Sequence, residues 1–389
     1  MRSIDFLSPG FRDDPWPTYA YYREHAPVWW SDSIRMFCVF GYADIRRCLT
    51  DPAFSVEYPF RVSRQVLGET LLDMEGPDHR RLRKLLAQAL LGRTENAGFT
   101  DAVQRVVSDV LEDLAGEETV EFLDRVATRV PLLSTAAFLG IPRSDCALVS
   151  EQLRYLLGHL DGSQGNFAKA SATRAALSDY VSALLAGSPP SPPDSMIGQA
   201  RVWVEQGTLN LAEAVGLVLL TLAAGVETST GLLSNGMVCF SRFPEWRGRV
   251  VADPSLMPRV IREVLRWEPP QHDTVRFAVS DCELGGVDIP RGSALKLLLA
   301  SGNRDATVFS NPDEFDPMRP ETSHLAFGHG IHSCLGMHLA SRVAEIFFNM
   351  QFARFAGARV DEDPIPPITG NTFRRPITLK VRLLSSTVG

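Results

Sequence analysis

The sequence predicts a mainly α-helical protein with a minor β region. Helical spacing of apolar residues continues through most of residues 97–186, and a long apolar segment extends from Asn210 to Phe240. Short segments rich in branched and aromatic residues, which are typical of strands, occur only at about residues 26–41, 274–300 and 376–384. The 389 residues are 45% hydrophobic and 22% charged, which fits a soluble globular protein.

The N-terminal part combines helices with a hairpin. Residues 17–24 predict a helix, the segments 27–30 (PVWW) and 36–40 (MFCVF) predict paired strands, and residues 44–49 resume helical spacing. Residues 54–72 show no period, so we expect a long loop there, and loops of this length often serve a function. A helix begins near Pro77 and carries His79 and Arg83 on one face, four residues apart.

The helical pattern of residues 97–186 is broken at 140–142 and 162–165, and the Pro/Ser-rich residues 187–198 predict a loop. The segment 210–240 is apolar on most faces, so we expect it to pass through the middle of the protein. Its centre contains the acid Glu227 beside Gly225 and Thr228. Gly costs about 1 kcal/mol in a helix interior, and a Thr hydroxyl competes for backbone carbonyls, so both weaken the helix there. A buried acid in this position is costly unless it is used.

The C-terminal part predicts a helix over 257–267 and strands over 274–280, 282–289, 294–300 and 377–384. Glu263 and Arg266 lie three residues apart in that helix, a common spacing that carries no meaning by itself.

Charge and cysteine content exclude several classes. The net charge of −7 argues against a nucleic-acid partner and gives no reason to expect anionic membranes. Six scattered cysteines without a CxxC pair predict no disulfide framework and fit a reducing cytoplasm. The N-terminal residues have no apolar core of a signal peptide. The apolar run 214–226 is shorter than the roughly 20 residues that a membrane span needs.

The residues around Cys334 are the most informative part of the chain. Gly328, Gly330 and Gly336 allow the backbone to bend and approach a ligand closely, and Cys334 lies at the turn into an apolar helix. Unpaired N–H groups at a helix start favour an anion, so we expect this cysteine to be biased toward the thiolate, which is the form that binds metals.

Three kinds of chemistry use such a cysteine. Zinc would draw on Cys334 with His329, His332 and His338, but the ligand spacing of zinc sites is missing and no second Cys/His cluster exists. A nucleophilic cysteine would use His332 as its base, although glycine-rich backbone on both sides of the sulfur suits a large flat ligand better. Haem iron held by one thiolate would also need cations for its propionates and an apolar helix across its far face.

The sequence resembles the cytochrome P-450 family at several motifs. Residues 327–336 (FGHGIHSCLG) resemble its haem-binding loop, residues 224–229 (AGVETS) its mid-helix motif, and Glu263 with Arg266 its E-x-x-R pair. Arg319 in FDPMRP is similar to the third member of that pair's network. Residues 73–83 and 273–278 are similar to the propionate-binding helix and strand. The motifs follow the family's order, with one departure at Ser341, where bacterial members usually carry Arg.

The resemblance implies one catalytic domain over residues 1–389, shaped as a triangular prism with haem between the cysteine loop and the long central helix. Cys334 would bind the iron of haem b, and its electron donation would favour O–O cleavage. Glu227 and Thr228 would relay protons, while Glu263, Arg266 and Arg319 would form a structural network. The other implied cofactor contacts are His79, Arg83, Ala224, Gly225, Arg276, Phe327, Gly328, His332 and Gly336.

The implied activity is that of a monooxygenase that uses O2 and two electrons, ultimately from NAD(P)H through a ferredoxin-type partner. That partner would dock near Arg80, Arg81, Lys84 and Arg342. The expected substrate is a mid-sized, mainly apolar natural-product intermediate, free or carrier-bound, that is hydroxylated or epoxidised. A binding or sensing protein without turnover and a peroxide-driven peroxygenase are the alternatives, and Glu227 with Thr228 favours the O2 reaction over both. The expected pocket residues are Tyr58, Phe60, Val66, Leu67, Leu157, His272, Thr274, Val275, Asn371 and Phe373.

Overall fold

The structure is a computed structural model that describes residues 4–6, 8–58, 61–94, 97–160 and 166–384. It confirms the mainly α-helical class with a minor β region. The helices are α1 Pro9–Asp13, α2 Trp16–His25, α3 Tyr42–Thr50, α4 Val62–Leu67, α5 Gly76–Thr94, α6 Ala97–Glu112, α7 Arg129–Leu139, α8 Cys146–Leu160, α9 Phe167–Leu185, α10 Met196–Glu205, α11 Leu211–Arg242, α12 Pro244–Ala252, α13 Met257–Trp267, α14 Leu299–Gly302 and α15 Met337–Arg354. A π-helical turn spans Leu123–Ala127.

The strands of the described residues form four small sheets. They are β1 Val28–Ser31, β2 Met36–Val39, β3 Phe54–Ser55, β4 Thr119–Glu121, β5 Thr274–Ala278, β6 Cys282–Leu284, β7 Val287–Ile289, β8 Ala294–Leu297, β9 Arg359–Val360, β10 Thr369–Gly370, β11 Arg374–Arg375 and β12 Lys380–Arg382. The largest sheet has the order β1-β2-β8-β5-β3, with β2 parallel to β8 and the other pairs antiparallel. The predicted hairpin is its β1–β2 pair.

Two segments differ from the sequence prediction. Residues 54–72 are not a continuous loop, because they contain β3 and the short helix α4. The predicted helical stretch 97–186 is interrupted by β4, whose Val120 pairs with Val381 of β12. The partner of β4 lies about 260 residues away in the sequence, so local periodicity could not predict this strand.

Helix α11 runs through the middle of the protein, as its apolar composition predicts. Its first half packs into one hydrophobic cluster with α8, α9 and α10, and its second half into another with α6, α13 and α15. Asn210 and Glu213 close a capping box at its start. Within the described part of the chain, α11 is the one helix long and apolar enough to span a membrane, and its place between these two clusters accounts for its composition.

The centre of α11 remains helical despite its glycine and hydroxyl residues. The Thr228 hydroxyl donates to the Ala224 carbonyl at 2.7 Å, so it bonds within the helix. A Cβ at Gly225 would lie 2.8 Å from the Thr135 Oγ1 atom of α7. Glycine at this position therefore permits the close packing of α7 against α11, a physical reason that the sequence did not reveal.

Candidate active site

The cysteine loop is a tight turn that ends at the start of α15. The Cys334 N–H donates to the Phe327 carbonyl at 2.8 Å, across a 3-10 turn of residues Gly330–His332. Gly328 and Gly330 have φ values of 65° and 75°, a region that side chains other than glycine rarely adopt. A Cβ on Gly330 would also lie 2.6 Å from the Leu49 carbonyl oxygen of α3. These two glycines thus fix the shape of the loop and its contact with α3.

Cys334 is the one exposed cysteine among those that the structure describes, although protein atoms surround it closely. We take both observations together to mean that the sulfur faces a space enclosed by the protein. Burial raises the pKa of the Cys334 thiol, while the Gly336 N–H and the Arg83 guanidinium act in the opposite direction. The expected thiolate bias from the helix start is therefore outweighed by desolvation. A metal ion bound to the sulfur would restore the thiolate, because a coordinating thiol loses its proton.

Cationic and imidazole side chains gather beside the cysteine loop. Arg83 donates to the Ser333 carbonyl at 2.7 Å and to its hydroxyl at 3.1 Å. The rings of His79 and His332 lie 4.5 Å apart. His332 is distant in the sequence from both His79 and Arg83. Arg276 of β5 is only 4% exposed, and its burial lowers its pKa to about 10. The structure thus brings all four expected propionate contacts into one region.

The electrostatics of this cluster fit a dianionic group. Burial and the charge of Arg276 lower the pKa of His332 to about 3, and burial together with Arg83 lowers the pKa of His79. The Nε2 atom of His332 is buried and, within the described residues, has no hydrogen-bond partner. Arg276 likewise forms no ion pair with any residue that the structure describes. A carboxylate pair placed here would satisfy an orphaned ring nitrogen and a buried guanidinium, so these residues fit the propionates of haem.

Two acids and a further arginine belong to the same region and were not expected. Arg61 lies 3.5 Å from the buried Asp73 carboxylate, and its charge contributes to the low pKa values of His332 and Arg276. Glu75 lies 3.9 Å from His332 Nε2 and accepts a bond from the Val56 N–H. No motif marks Arg61, because it lies in the segment that shows no period.

The middle of α11 exposes a small patch on an otherwise buried helix. Ala224 is exposed and Thr228 half-buried, whereas their neighbours Ala223, Val226 and Ser229 are buried. Residues Leu335 and Leu339, beside Cys334, pack against the hydrophobic cluster that contains this half of α11. The patch and the cysteine loop therefore border the same part of the core.

Glu227 has a partner that the sequence did not indicate. Its Oε1 atom lies 3.2 Å from the Nε atom of Arg375 on β11, and the side chains are 18% and 31% exposed. Arg375 is 148 residues away and belongs to no recognised motif. The hydroxyl of the adjacent Thr228 is bonded to the α11 backbone, so the structure places the two expected relay residues side by side with different partners.

Glu263, Arg266 and Arg319 form a buried ionic network. Arg266 donates to Glu263 through Nε at 2.8 Å and through a terminal nitrogen at 2.7 Å. Arg319 Nε lies 3.1 Å from both Glu263 oxygens. Arg266 also donates to the carbonyls of Asn303, Pro312 and Glu314. The network ties α13 to the irregular segment that precedes the cysteine loop.

The expected pocket residues divide into two groups. Tyr58, Thr274, Val275, Asn371 and Phe373 are half-buried, and the ring of Tyr58 stacks on Phe277 at 4.0 Å. Phe60 lies outside the described residues. The others are almost fully buried: Val66, Leu67, Leu157 and His272.

Four expected pocket residues therefore belong to the core in this structure. Val66, Leu67 and Leu157 pack into the cluster around the first half of α11. His272 has no exposed surface, and its ring lies 3.3 Å from the Tyr19 hydroxyl and 3.7 Å from Glu268. A side chain without accessible surface offers a ligand no contact, so Val66 and His272 do not line the pocket. Leu67 and Leu157, which are 6% and 5% exposed, keep only a small accessible surface.

Comparison with known proteins identifies relatives along nearly the whole chain. The family model described as cytochrome P-450 matches residues 195–381. Cytochrome P-450 107B1 of Saccharopolyspora erythraea is 32% identical over 342 residues, which are 83% of this chain and 82% of that protein. Cyclomarin C epoxidase CymV of Salinispora arenicola is 30% identical over 353 residues, 88% of this chain and 89% of that protein.

A solved structure shows the same fold. P-450 BioI, crystallised in complex with an acyl carrier protein ligated to hexadec-9Z-enoic acid, aligns with a TM-score of 0.88 at 28% identity. The alignment covers 96% of this chain and 100% of that one.

Proposed function

The chain belongs to the cytochrome P-450 family, whose members bind haem and use O2, and on that premise we propose that it is a monooxygenase fed by a separate ferredoxin. In this proposal the haem supplies the activation of O2 with two electrons and the transfer of one oxygen atom to the substrate. Cys334 holds the iron, and His79, Arg83, Arg276 and His332 hold the propionates. The observation that carries the proposal is the convergence of these four side chains beside an accessible cysteine.

Glu227 and Thr228 favour an O2 reaction over the two alternatives. An acid and an alcohol next to each other, accessible on a buried helix, suit the movement of protons to a reacting oxygen. A binding or sensing protein needs no such pair, and a peroxygenase receives its oxygen already reduced. Ala224 leaves room on the same helical face for O2.

The electron donor is proposed to dock on the exposed face of α5. Arg80 and Lys84 are exposed, lie four residues apart, and form no ion pair within the described residues. Arg81 is paired with Glu213 and Asp78, and Arg342 with Glu345, so their charges are partly compensated. An acidic ferredoxin would therefore meet Arg80 and Lys84 first.

The substrate is proposed to be a mid-sized, mainly apolar natural-product intermediate that is hydroxylated or epoxidised. Tyr58, Thr274, Val275, Asn371 and Phe373 supply apolar surface with few polar groups. The names of CymV and of the BioI complex support a biosynthetic substrate, free or attached to a carrier protein. We further propose a cytoplasmic protein with one catalytic domain.

Turnover with two oxygen sources tests this function. The haem-loaded protein is first screened with candidate compounds for the spin-state change that accompanies substrate binding. It is then supplied with a bound compound under NADPH, ferredoxin reductase, ferredoxin and O2, or under hydrogen peroxide alone. We expect product that depends on ferredoxin and falls severalfold when Arg80 and Lys84 are both changed to Gln. Equal product with peroxide alone would favour the peroxygenase, and spin-state shifts without product under either supply would favour a binding protein.

A further inference from the structure

Arg375 is held next to the central helix by the strand that carries it. The preceding residue, Arg374, is 2% exposed and donates to the backbone carbonyls of Arg12, Gly370 and Ile368. The Asn235 side chain of α11 donates in turn to the Arg374 carbonyl at 3.1 Å. The backbone of β11 is therefore pinned against α11, about two turns beyond Glu227.

The Arg375 side chain reaches back along α11 to Glu227. Its Nε atom lies 3.2 Å from Glu227 Oε1, and this is the one ion pair of Glu227 within the described residues. Arg375 is 31% exposed and Glu227 is 18% exposed. The pair thus sits where the interior of the protein meets solvent, one residue from Thr228.

We propose that Arg375 is a positioning residue that fixes the solvent end of the proton relay by holding the Glu227 carboxylate in place. The proposal rests on the proposed function for the relay itself. A carboxylate held there takes a proton from a solvent hydronium ion, which leaves water, and passes the proton on toward Thr228. The carboxylate is then regenerated beside the guanidinium. Without Arg375 the Glu227 side chain adopts several rotamers. Its carboxylate then occupies, in fewer turnovers, the position from which it delivers the proton.

Two other roles for Arg375 make different predictions. A purely structural ion pair would affect stability but would leave proton delivery unchanged. An anchor for an acidic substrate would act through substrate binding, so its loss would raise KM whether or not residue 227 is an acid. A positioning role acts only through Glu227, so its effect must disappear when Glu227 is replaced.

The experiment uses the haem-loaded protein with Arg375→Gln, Arg375→Lys, Glu227→Gln and the double Gln variant. Arg382→Gln is the control, because Arg382 of β12 also forms a partly exposed ion pair, with Asp361, away from Glu227. Urea unfolding of the wild type, the two single Gln variants and the double Gln variant measures the interaction free energy between Arg375 and Glu227. This measurement requires no turnover. With a substrate found in the spin-state screen, two further readouts are the fraction of electrons recovered as hydrogen peroxide and the solvent deuterium isotope effect on product formation.

We expect the unfolding cycle to show a coupling of about two- to fivefold in the unfolding equilibrium constant, the range for a partly exposed pair. Arg375→Gln should raise the peroxide fraction by a similar factor and enlarge the isotope effect, and Arg375→Lys should restore most of both. When Glu227 is already replaced by Gln, Arg375→Gln should alter neither the peroxide fraction nor the isotope effect. A wild-type peroxide fraction in Arg375→Gln, an undiminished effect in the Glu227→Gln background, or an absent coupling would overturn the proposal. Failure of the wild type to form product would count against the proposed function instead, and the unfolding cycle would still decide whether the pair exists.

Discussion

Replacement of Glu263 by Gln should destabilise the protein strongly. Glu263 is 2% exposed and accepts bonds from Arg266, Arg319 and the Asp316 N–H, the last at 2.9 Å. Gln has nearly the same volume, but it carries no charge and has one acceptor oxygen instead of two. Arg266, which is 1% exposed, would then remain buried without a counter-charge, and Arg319, which is 5% exposed, would keep only Glu321 at 3.9 Å.

Removing one partner of a buried ion pair costs about 3–5 kcal/mol, because the other charge stays buried without compensation. The backbone carbonyls that accept from both arginines offset part of this cost, so we expect the lower end of that range. Urea unfolding of the haem-loaded protein, followed by far-ultraviolet circular dichroism, measures the change. A lower midpoint at an unchanged slope is the expected form.

The matched control is Glu117→Gln. Glu117 is also paired with an arginine, Arg125, at 2.9 Å, but the two side chains are 37% and 41% exposed. Exposed pairs contribute about 0–1 kcal/mol, so this variant should unfold close to the wild type. The reasoning about burial would be refuted if Glu263→Gln cost no more than Glu117→Gln.

Three further results are expected. Thr228→Ala should keep haem and substrate binding but divert electrons into hydrogen peroxide, and unchanged coupling of electrons to product would contradict the relay. Arg276→Gln should weaken haem retention about tenfold or more, measured by transfer of haem to apomyoglobin, because a buried charge-assisted bond of about 1.5–3 kcal/mol is lost; transfer at the wild-type rate would contradict the propionate contact. His272 has its pKa lowered from 6.5 to about 4, mainly by burial. The unfolded chain therefore binds its proton first as the pH falls, so stability is complete above about pH 6.5 and declines toward pH 4; His272→Gln should flatten that decline of the urea midpoint, and an unaltered pH profile would contradict it.

The sequence was sufficient for features that are local in the chain. The spacing and extent of apolar residues predict α11 and α13, and segments rich in aromatic and branched residues predict the β1–β2 hairpin. The cysteine loop was recognisable because its chemistry lies within ten consecutive residues. These features depend on contacts between neighbours along the chain, which a sequence displays directly.

Features set by distant contacts were not predictable. Strand β4 exists because β12 pairs with it, and Glu227 has its partner on β11. His272 looked like a polar pocket residue, but Tyr19 and Glu268 enclose it in the core. The helix start predicts a thiolate at Cys334, yet desolvation by the surrounding fold dominates the pKa of its thiol and raises it. In each case the deciding group comes from a remote part of the chain.

The absorption spectrum of the reduced carbon monoxide complex tests the central claim most directly. If Cys334 is the thiolate ligand of haem iron, the wild type should show the strongly red-shifted band that a thiolate ligand produces. Cys334→Ser should lose that band, whereas Cys282→Ser, which changes a half-buried cysteine of β6, should keep it. A red-shifted band that persists in Cys334→Ser would contradict the assignment of Cys334 as the axial ligand.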